Sequence, residues 1–145
     1  MSLNVPLIGF GGAADIGFEE SKEYPGCFFR TVNGATEWLN PPNNVGTEYR
    51  TVARYKNKPV YEKIINIGQF PNNTQKTVST GLIGVTELIE NRMVAMTADK
   101  NFSGEMYGDG VNFGHYVGTN FSKISVYSKQ DSSAYNGTVF LKYIK

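Results

Sequence analysis

Residues 40–73, NPPNNVGTEYRTVARYKNKPVYEKIINIGQFPNN, spell out a β-hairpin in residue types. Pro41-Pro42 and Gly46 close a turn ahead of it. Two extended runs, 48–55 and 59–67, flank Lys56-Asn57, a connection of the two-residue length that hairpins favour. Gly68 and Pro71 mark the stop. In the first run Tyr49, Thr51, Ala53 and Tyr55 share one face and Glu48, Arg50, Val52 and Arg54 the other, predicting one packed side and one exposed polar side. In the second, Tyr61, Ile65 and Ile67 lie on one face and Val60 and Ile64 on the opposite one, so this strand is expected to be covered on both sides, with Tyr61 and Ile65 buried. Pro59 lacks an N–H and belongs at the start of its strand.

The same period of two continues outward from the hairpin. Cys27–Val32 reads as a strand ending at the turn dipeptide Asn33-Gly34. Residues 92–98, 121–127 and 138–144 are further strands, the last with Val139, Leu141 and Tyr143 inward and Lys142 outward. Val85–Asn91 reads as strand or short turn, because β-branched Val85, Thr86 and Ile89 resist helix. Trp38 is expected to anchor the core ahead of the Pro41-Pro42 turn, since it has so large an area to hide. Residues 1–26, rich in glycine, read as an N-terminal arm with one short strand at most, and residues 27–145 as the domain. Short strands divided by Gly, Asn and Pro turns predict an all-β fold, an antiparallel β-sandwich of jelly-roll-like type.

Composition bounds the function. The 145 residues carry a net charge of +1, with both signs interspersed, so there is no basic stripe to follow a nucleic-acid backbone. No apolar run approaches membrane-spanning length, and no membrane insertion is expected. Cys27 and His115 are single, which leaves no intrachain disulfide and no zinc site built from several Cys and His; no metal or other cofactor is expected.

The order of residue types in the hairpin block also resembles a pattern found in modules of bacteriophage tails. It is carried by Pro41-Pro42, Gly46, Glu48-Tyr49-Arg50-Thr51, Arg54-Tyr55, Lys58-Pro59-Val60-Tyr61, Lys63, Gly68 and Pro71-Asn72. A second block is similar to a recurrent ending of these modules: Ile124-Ser125-Val126, the polar turn Asp131-Ser132-Ser133-Ala134-Tyr135, and a last strand closing on Leu141-Lys142-Tyr143-Ile144-Lys145. Many relatives place a tryptophan before the hairpin turn, where this chain has Arg54-Tyr55. The resemblance is to tail fibre and receptor-binding (tail-tip) proteins of phages and prophages. It implies a virion protein of the tail tip, made in the bacterial cytoplasm, often a homotrimer, whose partners are other phage tail proteins and a carbohydrate of the host cell surface. Its motifs are turns and packing residues, so they identify a scaffold better than a ligand site.

The residues offer three kinds of chemistry. For hydrolysis, His115 is the one available imidazole base, no G-x-S-x-G elbow is present, and a carboxylate pair such as Glu105 and Asp109 has no certified geometry; the chain is not read as an enzyme. For binding, residues 104–118, GEMYGDGVNFGHYVG, set aromatic rings beside short polar acceptors. Tyr107, Phe113, His115 and Tyr116 offer flat faces for the C–H groups of a sugar, and Glu105, Asp109 and Asn112 offer acceptors for its hydroxyls, as loops on a rigid β scaffold commonly do. The plainer reading is a glycine-rich connection whose rings fold back onto the core. Arg50 and Arg54 suit an acidic glycan or a neighbouring subunit, though an exposed polar face is the default for such an alternation.

Overall fold

The computed structural model describes residues 2–3, 17–99, 102–103 and 113–145, with backbone alone at 2–3, 102–103, 113–116 and 119. Twelve strands are present among them: β1 (Ser2–Leu3), β2 (Phe18–Glu20), β3 (Phe28–Val32), β4 (Ala35–Trp38), β5 (Glu48–Tyr55), β6 (Lys58–Gln69), β7 (Gln75–Ser79), β8 (Glu87–Thr97), β9 (Phe102–Ser103), β10 (Phe113–Val117), β11 (Lys123–Ser128) and β12 (Tyr135–Ile144). The only helical element described is a 3-10 turn at Thr119–Phe121. Among the described residues no helix is long and apolar enough to cross a membrane.

The strands form two sheets, one of order β1-β2-β3-β4-β5-β6-β12-β8-β9 and a smaller one of order β10-β11-β7. Their inner faces make a β-sandwich. The larger sheet contributes Ile65, Ile67, Met93, Ala95, Val139, Leu141 and Tyr143, and the smaller contributes Ile124 and Val126, with Phe70 and Leu82 closing the ends. Six of these, among them Val139, Val126 and Tyr143, are within 1 % of complete burial or fully buried, and that removal of apolar surface from water is the main force holding the layers together. The chain crosses repeatedly between layers. The last strand, β12, lies between β6 and β8, and the one before it, β11, lies between β7 and β10. This nesting of late strands between early ones is jelly-roll-like.

The hairpin forms as its residue types predict. β5 and β6 pair antiparallel, with Tyr55 opposite Lys58, and Pro59 is the second residue of its strand. Lys56 and Asn57 both adopt positive φ, 49° and 61°, the twist that two-residue hairpin turns require. Asn tolerates this conformation and a β-branched residue does not, so Asn57→Val is expected to cost about 1–2 kcal/mol. Asn57→Gly should cost nothing, and urea denaturation of the two variants checks both. The ending forms as well: Asp131 accepts hydrogen bonds from the Ser133 N–H (3.0 Å) and hydroxyl (2.6 Å), and this turn feeds β12.

Several expectations are corrected. Residues 1–26 supply two short strands, not one, because β2 pairs with both β1 and β3. Gly68 does not stop β6. It takes φ 72° in a bulge opposite Gly137-Thr138, and the strand runs on to Gln69. Val85–Asn91 agrees with its expectation, strand or short turn: it is strand from Glu87 onward. Ala53 and Tyr55 do not share the burial of Tyr49 and Thr51, since the hairpin end extends past the body and leaves them exposed. Ile65 is buried, whereas Tyr61 is partly buried and stacks on Tyr143 with ring centroids 6.0 Å apart. Trp38 is half-buried, packed between Phe29 (5.3 Å) and Tyr49 (5.9 Å), on the side of the sheet away from the sandwich core. One pairing is parallel: Trp38 of β4 meets Thr51 of β5, where the β5–β6 register shifts between Arg50 and Arg54. The Thr51 hydroxyl donates to the Val60 carbonyl (2.7 Å) and ties this shifted segment back to its neighbour.

Candidate functional site

Alternation along three central strands builds a groove on the outer face of the larger sheet. Where Val139, Leu141 and Tyr143 point to the core, Phe140 and Lys142 must point away from it. The register sets Phe140 between Ile64 and Arg92, and Lys142 between Glu62 and Glu90. Residues 41–47 fold over the near end of this row. The Asn44 N–H donates to the Tyr49 hydroxyl (3.2 Å), and the Gly46 N–H donates to the Ile64 carbonyl (2.8 Å). These contacts place Asn43 and Tyr49 in the groove wall and enclose about 280 Å³.

The floor of the groove is an aromatic and aliphatic strip, Phe140 beside Ile64, with the Arg92 guanidinium 4.3 Å above the Phe140 ring. Its charges are shared rather than fully paired. Lys142 Nζ lies 3.7 Å from a Glu62 oxygen and 3.5 Å from a Glu90 oxygen. Arg92 Nε also reaches Glu90 Oε1 at 3.4 Å, and all three separations exceed a good N–H···O hydrogen bond, so each carboxylate keeps lone pairs for other donors. The arrangement offers C–H contact on Phe140 and Ile64, acceptors on Glu62, Glu90 and Asn43, and donors on Lys142 and Arg92.

A second polar cluster occupies the inner face of the same sheet, beyond the apolar core. Glu37 is completely buried there and takes three arginines: Arg30 (Nη2, 3.1 Å), Arg50 (Nε, 3.0 Å) and Arg54 (Nη2, 2.7 Å). Burial pushes the Glu37 carboxyl up, but hydrogen bonds from Arg50, Arg54 and Arg30 outweigh it and hold the group below its ordinary value. The face bearing Arg50 and Arg54 is therefore not the exposed polar face expected of the alternation. It is drawn inward onto a carboxylate. Beside it Glu48 accepts from the Tyr143 hydroxyl and from Lys145 Nζ, the latter at 2.6 Å, and burial together with Glu48 pushes the Tyr143 hydroxyl well above its ordinary range.

No family model matches the chain, and neither the curated proteins nor the solved structures provide a match.

Of the residues expected at the site, Tyr107, Asp109 and Asn112 lie outside the described residues. So do Glu105 and most of the 104–118 segment, although 113–117 is strand rather than loop. His115 and Tyr116 stand in β10 opposite Val126 and Ser125 of β11, in the smaller sheet. The groove belongs to the other layer. The groove residues were not singled out from sequence as a group, although the outward position of Lys142 was. The available signal was the alternation of β12 itself: with Val139, Leu141 and Tyr143 inward, Phe140 is an aromatic on the solvent side. Glu37 gave no comparable signal, since a carboxylate in a short alternating strand reads as surface. Among the described residues no group of three His, Cys, Asp or Glu is placed to hold a metal ion.

Proposed function

We propose that this chain is a module of a bacteriophage tail tip or fibre that binds a host cell-surface glycan non-covalently, acting as a homotrimer in the virion. The observation that carries this reading is the outer-face groove, where the Phe140–Ile64 strip lies between the carboxylates of Glu62 and Glu90 under the wall formed by residues 41–47. An aromatic ring flanked by acceptors with open lone pairs suits a sugar, whose C–H faces are apolar and whose hydroxyls donate. The wall and the β5–β6 edge are built from the same block, Pro41 to Lys63, that resembles phage tail modules. Shallow single sites of this kind gain strength through valency, which a trimer supplies.

A glycan array probed with the purified protein tests the reading. Phe140→Ala and Glu90→Gln should each weaken binding by about fivefold per site, the loss of roughly 1 kcal/mol expected for a ring or a hydrogen bond. Glu90→Gln should move the melting temperature by no more than a few degrees, because the side chain is partly exposed and its ion pairs with Lys142 and Arg92 are long and screened by water. Tyr107→Ala and Tyr116→Ala in the same array separate the groove from the 104–118 segment: loss confined to the tyrosines assigns the ligand to that segment. The bound glycan should be recovered intact. Cleavage that disappears in His115→Ala would make the protein a hydrolase.

A second reading, a structural tail or baseplate module that binds other phage proteins and no glycan, is favoured by exposed apolar side chains. Ile83 is 80 % exposed, Val45 59 % and Leu39 51 %, and such groups suit a protein partner better than a sugar. An array without signal, together with a stable complex with a neighbouring tail protein, selects it.

A further inference from the structure

We infer that the Arg50 guanidinium is the contact point of an oxyanion site, taking a carboxylate or phosphate group beside buried Glu37 on the inner face of the larger sheet. The site lies on the opposite face from the groove and does not rest on the glycan reading. Three guanidinium groups converge on one carboxylate, so two positive charges are left over. Glu37 cannot move out to relieve them, because it is fully buried and is held by all three. Guanidinium groups gathered this closely repel one another, and they do so more strongly where water is partly excluded.

The hydrogen bonds show which arginine has donors to spare. Arg54 uses Nη2 on both Glu37 oxygens and Nη1 on the carbonyls of Thr51, Val52 and Ala53. Arg30 gives Nε and Nη2 to one Glu37 oxygen and lies over the Phe18 ring, 5.8 Å from its centroid. Arg50 gives Nε alone. Among the described residues its Nη1 and Nη2 meet no acceptor, and 31 % of the side chain remains in solvent. The free pair of Nη groups is the fork that takes a carboxylate or phosphate through parallel hydrogen bonds. Glu48, two residues along the same strand face, does not compete, since Lys145 and the Tyr143 hydroxyl already hold it. A second anion therefore gains the unspent donors of Arg50 and the leftover charge of the cluster together.

The test is the melting temperature of the full chain at neutral pH in sodium phosphate and in sodium acetate, each against sodium chloride at matched ionic strength. Phosphate, acetate or both should raise it by roughly 3–5 °C at about ten times the dissociation constant. A response to phosphate alone assigns a phosphate ligand, and one to acetate alone a carboxylate. Arg50→Gln should abolish the difference from chloride, and Lys123→Gln, exposed on β11 of the smaller sheet, should keep it. Equal melting in all three salts, or a full response in Arg50→Gln, overturns the proposal. If Arg50→Gln does not fold, the arginine Nε–H NMR signals of the wild type decide, assigned with the charge-preserving Arg50→Lys. The Arg50 signal must move most on adding phosphate or acetate, and an unmoved signal counts against the site.

Discussion

Replacing Gly137 by alanine is expected to cost about 3 kcal/mol or more, the upper end of what overpacking a core does. The Cβ of an alanine there would sit 2.1 Å from Phe70 Cε1 and 2.8 Å from its Cζ, far inside contact distance. Neither partner can yield. Gly137 is on β12, which is paired on both sides, to Gly68 of β6 and Ala95 of β8. Phe70 is 2 % exposed, and its N–H donates to the Tyr135 carbonyl. In a chain of this size each kcal/mol moves the melting temperature by roughly 2–4 °C, so a drop near 10 °C is expected in a thermal melt. Trimming the ring identifies the cause. Phe70→Leu added to Gly137→Ala should recover part of the loss, with a coupling of about 1–3 kcal/mol between the two sites. Without such recovery, backbone distortion at the bulge, and not the ring, would be the source.

Glu37→Gln is expected to destabilise by about 3 kcal/mol, the lower end of the cost of breaking a buried ion pair. The lower end applies because the three arginines remain partly in contact with water and can hydrate. Gln keeps the shape and one acceptor but leaves three unbalanced guanidinium groups. The arginines should then change sign. In the wild type Arg50→Gln removes an attraction and destabilises, whereas in the Glu37→Gln background it relieves repulsion and stabilises. A double-mutant cycle by chemical denaturation measures this inversion. The pH dependence follows from the same group. The folded value of Glu37 lies below its ordinary 4.5, so its contribution is complete above that pH and is lost as pH falls through the folded value. Glu37→Gln should flatten this part of the acid limb of the stability curve.

These two positions also show where sequence reading ended. The hairpin was legible because everything that fixes it is local: the alternation of Tyr49 with Arg50, the Lys56-Asn57 turn, and Pro59 at a strand start. The core face of β12 was legible for the same reason. The contact between Gly137 and Phe70 was not, because it joins residues far apart in the chain and a strand glycine announces only that something approaches. β4 and β7 are short, and QKTVS carries one apolar residue in five, so no period stood out. Arg50 and Arg54 read as surface because alternation says which residues share a face but not what covers it. What lies on this face is Glu37, delivered from β4, the neighbouring strand of the same sheet, which pairs with β5 at Trp38 and Thr51. The groove combines β6, β8, β12 and the 41–47 segment, and its order depends on β12 inserting between β6 and β8. That nesting is a property of the topology, and no local motif encodes it.

The central claim, a glycan held in the outer-face groove, is tested most directly by one measurement: binding of the purified wild-type chain and of Glu90→Gln to a host-glycan array. The account predicts that the wild type marks a defined set of glycans and that Glu90→Gln, folded and melting within a few degrees of it, loses about fivefold per site on that same set. Unchanged binding by Glu90→Gln, or no glycan bound by the wild type at all, would contradict it.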